Sequence, residues 1–136
     1  WIRHHWRSIC SAYGKAPFFE YYAHYFEPFY QKTQTHLAQF NWELLTLCLK
    51  LIGISKQIIL SDNYIEKPMK EEFQDFRSKI HPKQTSQEKR LFDIPTYQQV
   101  FGKSFVADLS ILDVIFCEGP NAKQLLKKSI TQIKMT

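Results

Sequence analysis

The side chains able to do acid–base or anion chemistry in this 136-residue chain fall in a few separated places. His4 and His5 are adjacent near the start. Neighbours on a helix point about 100° apart, so these two cannot share a metal ion as an i, i+4 pair does. His5 falls on an apolar stripe with Trp1, Ile2, Trp6, Ile9, Ala12 and Tyr13. That position predicts a part-buried imidazole, either held by one hydrogen bond or used in proton transfer. Lys15 stands in the turn Tyr13-Gly14-Lys15-Ala16-Pro17, within reach of the next helix's N-terminus, where amides and an ammonium would meet an anion. No Walker-type loop surrounds it, and a solvated lysine in a helix-breaking turn accounts for the same residues.

Arg77-Ser-Lys-Ile-His-Pro-Lys83 is the strongest anion-contact segment. Arg77 brings a planar fork for phosphate or carboxylate, and Lys79, His81 and Lys83 add cationic donors. A basic helix end complementing the macrodipole is the competing explanation. Ser110 and Asp113 invite a nucleophile reading, but no His stands at a recognised spacing, and Ser-x-x-Asp opens a helix as a capping box. The titratable candidates for catalysis are therefore His5, Tyr97 and Asp113, and Lys15, Arg77, Lys79 and His81 are the candidates for substrate contact. No H-E-x-x-H and no Cys/His spacing of the zinc type occurs, so no metal site is expected and no particular cofactor is indicated. Cys117 would sit at a helix C-terminus beside Glu118, a setting that disfavours a thiolate.

Positioning these groups falls mainly to helices. The stripe of Ile2, Trp6, Ile9 and Tyr13 predicts a first helix closed by Gly14. Pro17 suits the first turn of an aromatic second helix, which Pro28 should kink or restart. Leu37, Phe40, Leu44, Leu47 and Leu51 predict a third helix, with Thr35 as N-cap and Gly53 at its end. Gln57-Ile-Ile-Leu60 reads as a short strand. Lys70–Ile80 reads as a helix stopped by His81-Pro82, and residues 81–95 as a surface loop. Tyr97–Phe101 suits a short helix, Ile111–Cys117 an apolar one, and Asn121–Ile130 a last one after Gly119-Pro120. Trp6, Ile9, Phe40, Leu44, Leu47, Ile111 and Ile115 should be largely buried in one cluster.

Composition bounds the function. Hydrophobic residues make up 44% and aromatics 15%, which is a folded composition, and three scattered cysteines suit a reducing compartment rather than a disulfide framework. The longest apolar stretch, residues 44–54, is interrupted by Lys50 and is too short to span a bilayer. Net charge is +5, gathered at residues 1–15, 77–90 and 121–136. Such patches either converge on a phosphate-bearing ligand or are ordinary solvated faces, and the second is the more common arrangement. The aromatic run 18–30 lacks Arg and Lys and contains Glu20 and Glu27, which argues against nucleic acid.

Three blocks, His5 to Tyr22, Tyr97-Gln-Gln-Val-Phe101 and Leu109 to Pro120, together with the Leu-rich helix ending Leu51-Ile-Gly-Ile54, resemble the WbqC-like protein family in their order along the chain. The resemblance covers nearly the whole chain and places a strand-rich segment before Trp1. Cys117 stands where such proteins tend to carry a polar residue. The resemblance implies a cytoplasmic bacterial protein associated with surface polysaccharide or O-antigen assembly, and a transferase or other biosynthetic role on an activated sugar. It supplies no agreed reaction and no catalytic set. The expected fold is mainly α with one or two short strands, residues 1–136 forming a single domain or the C-terminal part of a mixed α/β one. The functional alternatives are an enzyme acting on an anionic metabolite, a non-catalytic scaffold of the same pathway and, more weakly, a nucleic-acid module.

Overall fold

A computed structural model of the chain describes residues 2–32, 35–64, 66 and 94–129. Five α-helices run α1 (Ile2–Tyr13), α2 (Phe19–Gln31), α3 (Leu37–Ile52), α4 (Ile111–Glu118) and α5 (Ala122–Ser129), with a 3-10 turn at Gly119–Asn121. No strand occurs among the described residues. Residues 1–56 and 92–136 make up one compact unit and residues 57–91 another.

Within the first unit α1 pairs with α2, while α4 packs against α2, α3 and α5. The core gathers Tyr13, Phe26, Tyr30, Phe40, Ile52, Ile115 and Phe116. Phe116 is fully buried at its centre, with Tyr13, Phe19 and Phe26 rings at centroid distances of 5.5, 5.0 and 5.5 Å. Tilted and edge-on contacts of this kind add to the area buried by each ring. Of the seven residues expected to be largely buried together, Phe40 and Ile115 are buried in this cluster, while Trp6, Ile9, Leu44, Leu47 and Ile111 are only partly buried and pack against it.

The helix ends follow from local chemistry. α1 stops at Tyr13, and Gly14 N–H still returns to the Cys10 carbonyl at 2.8 Å. α3 ends in a Schellman motif, with Gly53 at φ 74°, its N–H on the Lys50 carbonyl at 3.0 Å, and Ile54 N–H on Leu49 at 2.9 Å. Lys123, from α5, donates its ammonium to the Gly53 carbonyl, placing a cation on the negative end of α3. The Phe116 carbonyl, one of the last four in α4 and so without a helical donor, accepts from Phe18 N–H at 3.0 Å.

Several expectations are corrected. α2 continues through Pro28 without restarting, although that residue has no N–H to donate to the preceding turn, and it begins at Phe19 with Phe18 as N-cap, two residues beyond Pro17. His36, not Thr35, is the N-cap of α3, and the Thr35 hydroxyl pairs with His36 Nδ1 at 3.0 Å. Leu37 is 63% exposed because it opens the helix at its far end, ahead of the packed turn at Phe40. Residues 57–60 are irregular, with Ile59 76% and Leu60 68% exposed: a strand needs a pairing edge, and none is present among the described residues. Tyr97–Phe101 is not helical: the Gln99 side chain is drawn into tertiary bonds with Val106 and Asp113. The expected helix over 70–80 lies outside the described residues, as does the 81–95 loop except for Ile94 and Pro95.

Candidate functional site

Asp113 is the third residue of α4 and is fully buried. Ser110 caps the helix, its oxygen accepting from Leu112 N–H at 3.3 Å, but the Asp113 side chain does not complete a capping box. It turns inward instead, towards the segment 94–109 that crosses this face. Tyr97 Oη donates to Asp113 Oδ2 at 2.5 Å, Gln99 Nε2 donates to the same oxygen at 2.9 Å, and the Cys117 thiol stands 3.8 Å from Oδ1 one turn along the helix. Charge-assisted bonds of this kind are shorter and stronger than neutral ones, and they are what allows a carboxylate to be held away from water. No buried polar atom among the described residues lacks a partner.

Burial, and after it the Asp113 side chain, sets the protonation of the neighbouring groups. Burial, then the hydrogen bond to Asp113, holds the Tyr97 phenol far above its ordinary range, and a hydrogen bond from Gln99 opposes this. Tyr13, reaching in from α1, is pushed up to about 12 by burial and then by the Asp113 charge. Cys117 is pushed up to about 11 for the same two reasons, in that order. All three groups keep their protons at neutral pH. They are hydrogen-bond donors around one buried anion, and Cys117 is a poor nucleophile, as its place beside Glu118 leads one to expect.

A polar cleft of about 90 Å³ opens beside this cluster, lined by Tyr97, Gln98, Gln99, Lys103, Ser104 and Phe105 among others. Its size suits a single polar group of a ligand rather than a whole one. Lys103 is exposed at its rim. Gly102, at φ 82°, makes the turn that brings Lys103 and Ser104 back towards Tyr97.

Of the residues singled out from the sequence, Tyr97 and Asp113 are brought into contact. His5 is exposed, not part-buried: with 3.6 residues per turn, His5 and Ala12 lie about 60–80° round the helix from Ile2 and flank the stripe rather than centre it. His5 is also eight residues along α1 from Tyr13, a rise of about 12 Å. Lys15 is exposed in the turn between α1 and α2. Arg77, Lys79 and His81 lie outside the described residues. Gln99 lies within the Tyr97–Phe101 block that carries the family resemblance, which assigns it no role, and Lys103 and Ser104 carry no motif, since a polar loop residue announces nothing until its partners are known.

The family model for the WbqC-like protein family matches residues 1–90 and 70–125, the second span carrying Tyr97, Gln99 and Asp113. The chain belongs to the WbqC-like protein family. No curated protein and no solved structure matches it. No helix among the described residues of this WbqC-like chain is long and apolar enough to cross a membrane.

Proposed function

We propose that this WbqC-like chain is a cytoplasmic biosynthetic enzyme acting on an activated sugar or related anionic metabolite in bacterial surface polysaccharide synthesis, with Tyr97 as its proton-handling hydroxyl. One observation carries the reading: Tyr97 faces a polar cleft while its proton is directed at a buried carboxylate 2.5 Å away. With that proton engaged, the phenol oxygen, which Gln99 also meets, keeps a lone pair that can accept a hydrogen bond from a ligand O–H or N–H. A proton leaving the ligand would pass to the Tyr97 oxygen as the phenol's own proton passes to Asp113, which is general-base catalysis through a relay. Asp113, having no exposed surface, orients Tyr97 rather than touching substrate. Lys103 supplies the cation at the rim. Arg77, Lys79, His81 and Lys15 are proposed as further anion contacts on residue type alone, and His5 as a second proton carrier on the same footing.

The test is a thermal-shift screen of the protein against nucleotide sugars and amino acids, since a ligand present at about 100 times its Kd stabilises by about 2.7 kcal/mol. A hit that Tyr97→Phe and Lys103→Ala both weaken supports the proposal. A hit that neither variant weakens would move the site elsewhere.

A second reading, a non-catalytic scaffold of the same pathway, draws on the outer face of α2 and α3. Trp42 and Leu45 there are 40% and 49% exposed, and Phe29, Trp42, Thr46 and Leu47 line a shallow groove of about 370 Å³. An apolar face of this kind suits a protein partner.

A further inference from the structure

Gln99 sits in an irregular segment, yet only 8% of it is exposed and both polar atoms of its side chain are engaged. Oε1 accepts from Val106 N–H at 2.8 Å, and Nε2 donates to the Val106 carbonyl at 2.9 Å. The amide therefore pairs with one residue's backbone in both directions, as a facing residue does in an antiparallel ladder. The second Nε2 hydrogen goes to Asp113 Oδ2 at 2.9 Å. Only a primary amide supplies one acceptor and two hydrogens on a single nitrogen in this arrangement. Its orientation is fixed by its partners, because a flipped amide would set nitrogen against Val106 N–H and oxygen against the carboxylate. Residues 100–105, with Lys103 and Ser104, lie between the ends of this clasp.

We propose that Gln99 is the positioning residue of the Tyr97–Asp113 site: its amide closes the 99–106 loop and gives its remaining hydrogen to the carboxylate that orients Tyr97, so that cleft wall and proton-handling pair are set as one unit. The inference rests on reading Tyr97 as the functional hydroxyl, but its test does not. The titratable groups facing this point are Asp113 and Cys117 from α4, Tyr97 from the loop and Tyr13 from α1.

The reporter is the Val106 amide, whose hydrogen bond runs to a side chain rather than to a backbone carbonyl. In the wild-type protein its hydrogen exchange, followed by NMR and corrected for the intrinsic rate, should be protected alike at about pH 5 and about pH 7.5. Gln99→Glu sets a second carboxylate against Asp113 at neutral pH, so Val106 should exchange on the order of tenfold faster there. At about pH 5 a proton shared by the two carboxyl groups relieves their repulsion and restores one of the two lost donations, the one between residues 99 and 113, so part of the protection should return. Gln99→Leu, close in volume and without polar atoms, should lose protection at both pH values. Protection retained in Gln99→Leu overturns the proposal, and so does a Gln99→Glu protein whose Val106 exchange does not recover on acidification. The second comparison is made within one protein and survives a Gln99→Leu variant that fails to fold. Tyr97→Phe keeps all three Gln99 hydrogen bonds and should leave Val106 protected. A Tyr97→Phe protein that binds its ligand unchanged would therefore defeat the reading of Tyr97 alone, and lost protection in Gln99→Glu would still establish the clasp.

Discussion

Tyr97 and Asp113 are sixteen residues apart in the chain and joined by a hydrogen bond of 2.5 Å. The bond fastens an irregular segment to the first turn of a helix, and Gln99 fastens it a second time at the same oxygen. Stability and the proposed chemistry thus draw on one carboxylate, and substitutions there can be graded to separate them.

Asp113→Ala leaves the half-buried Tyr97 hydroxyl and one hydrogen of the buried Gln99 without their acceptor. It should cost about 2–6 kcal/mol, about 1–3 kcal/mol for each of the two neutral donors left without its acceptor. Tyr97→Phe removes one donor and leaves the carboxylate its other partners, so about 1.5–3 kcal/mol is expected. Urea midpoints at constant slope would measure both. A Tyr97→Phe protein less stable than Asp113→Ala would mean that the carboxylate is not the hub described.

A different contact tests the packing of α4 against the start of α2. Gly119 has φ 51°, and a Cβ built on it would lie 2.5 Å from the Phe18 ring. The ring cannot move away freely, since Phe18 N–H is bonded to the Phe116 carbonyl at 3.0 Å. Gly119→Ala should therefore destabilise by about 1–3 kcal/mol through overpacking, with backbone strain in addition. Pairing it with Phe18→Ala makes a direct check: the glycine substitution should cost less once the ring is gone, and an equal cost in both backgrounds would assign the effect to backbone alone.

At the centre of the core, Phe116→Ala empties the space shared by Tyr13, Phe19 and Phe26 and should cost about 3–5 kcal/mol. Leu37→Ala, at a position 63% exposed, should change stability by no more than about 0.5 kcal/mol. Chemical denaturation of the two variants side by side would show whether the helical register is as described, because the sequence stripe alone ranks Leu37 with the core leucines.

What was legible in the sequence is what local pattern determines. α1, α3 and α4 follow from apolar spacing, and Gly14 and Gly53 mark ends that only the backbone's own geometry sets. The Tyr97–Asp113 bond was half legible: both residues stand out as titratable, but their pairing depends on a loop path that no periodicity encodes. Asp113 resembled a capping residue because capping is a local rule, and the rule lost to partners fourteen and sixteen residues away. The 57–60 run failed for the opposite reason, since β propensity describes a fit to neighbours that the segment does not have among the described residues. The role of Gln99, a residue of the Tyr97–Phe101 block, was not legible because it lies wholly in whom the side chain meets.

The last expectation concerns alkaline pH. Burial holds the Cys48 and Cys117 thiols at about 11 against an ordinary 9.0, and burial with the Asp113 charge holds Tyr13 at about 12 against 10.0. Each folded-state value is raised, so between its two values the unfolded chain binds fewer protons than the folded one. Stability must then fall as pH rises there. The contribution is complete below pH 9 and is lost progressively above it, the thiols up to about 11 and Tyr13 up to about 12. Thermal midpoints measured from pH 7 to pH 11 should be flat at first and then decline. The variant Cys48→Ala with Cys117→Ala should start lower, having lost buried side chains, and decline less steeply over the thiol window. Midpoints that stay level to pH 11, or an equal slope in the double variant, would show that these thiols are not held by the folded structure in their neutral form.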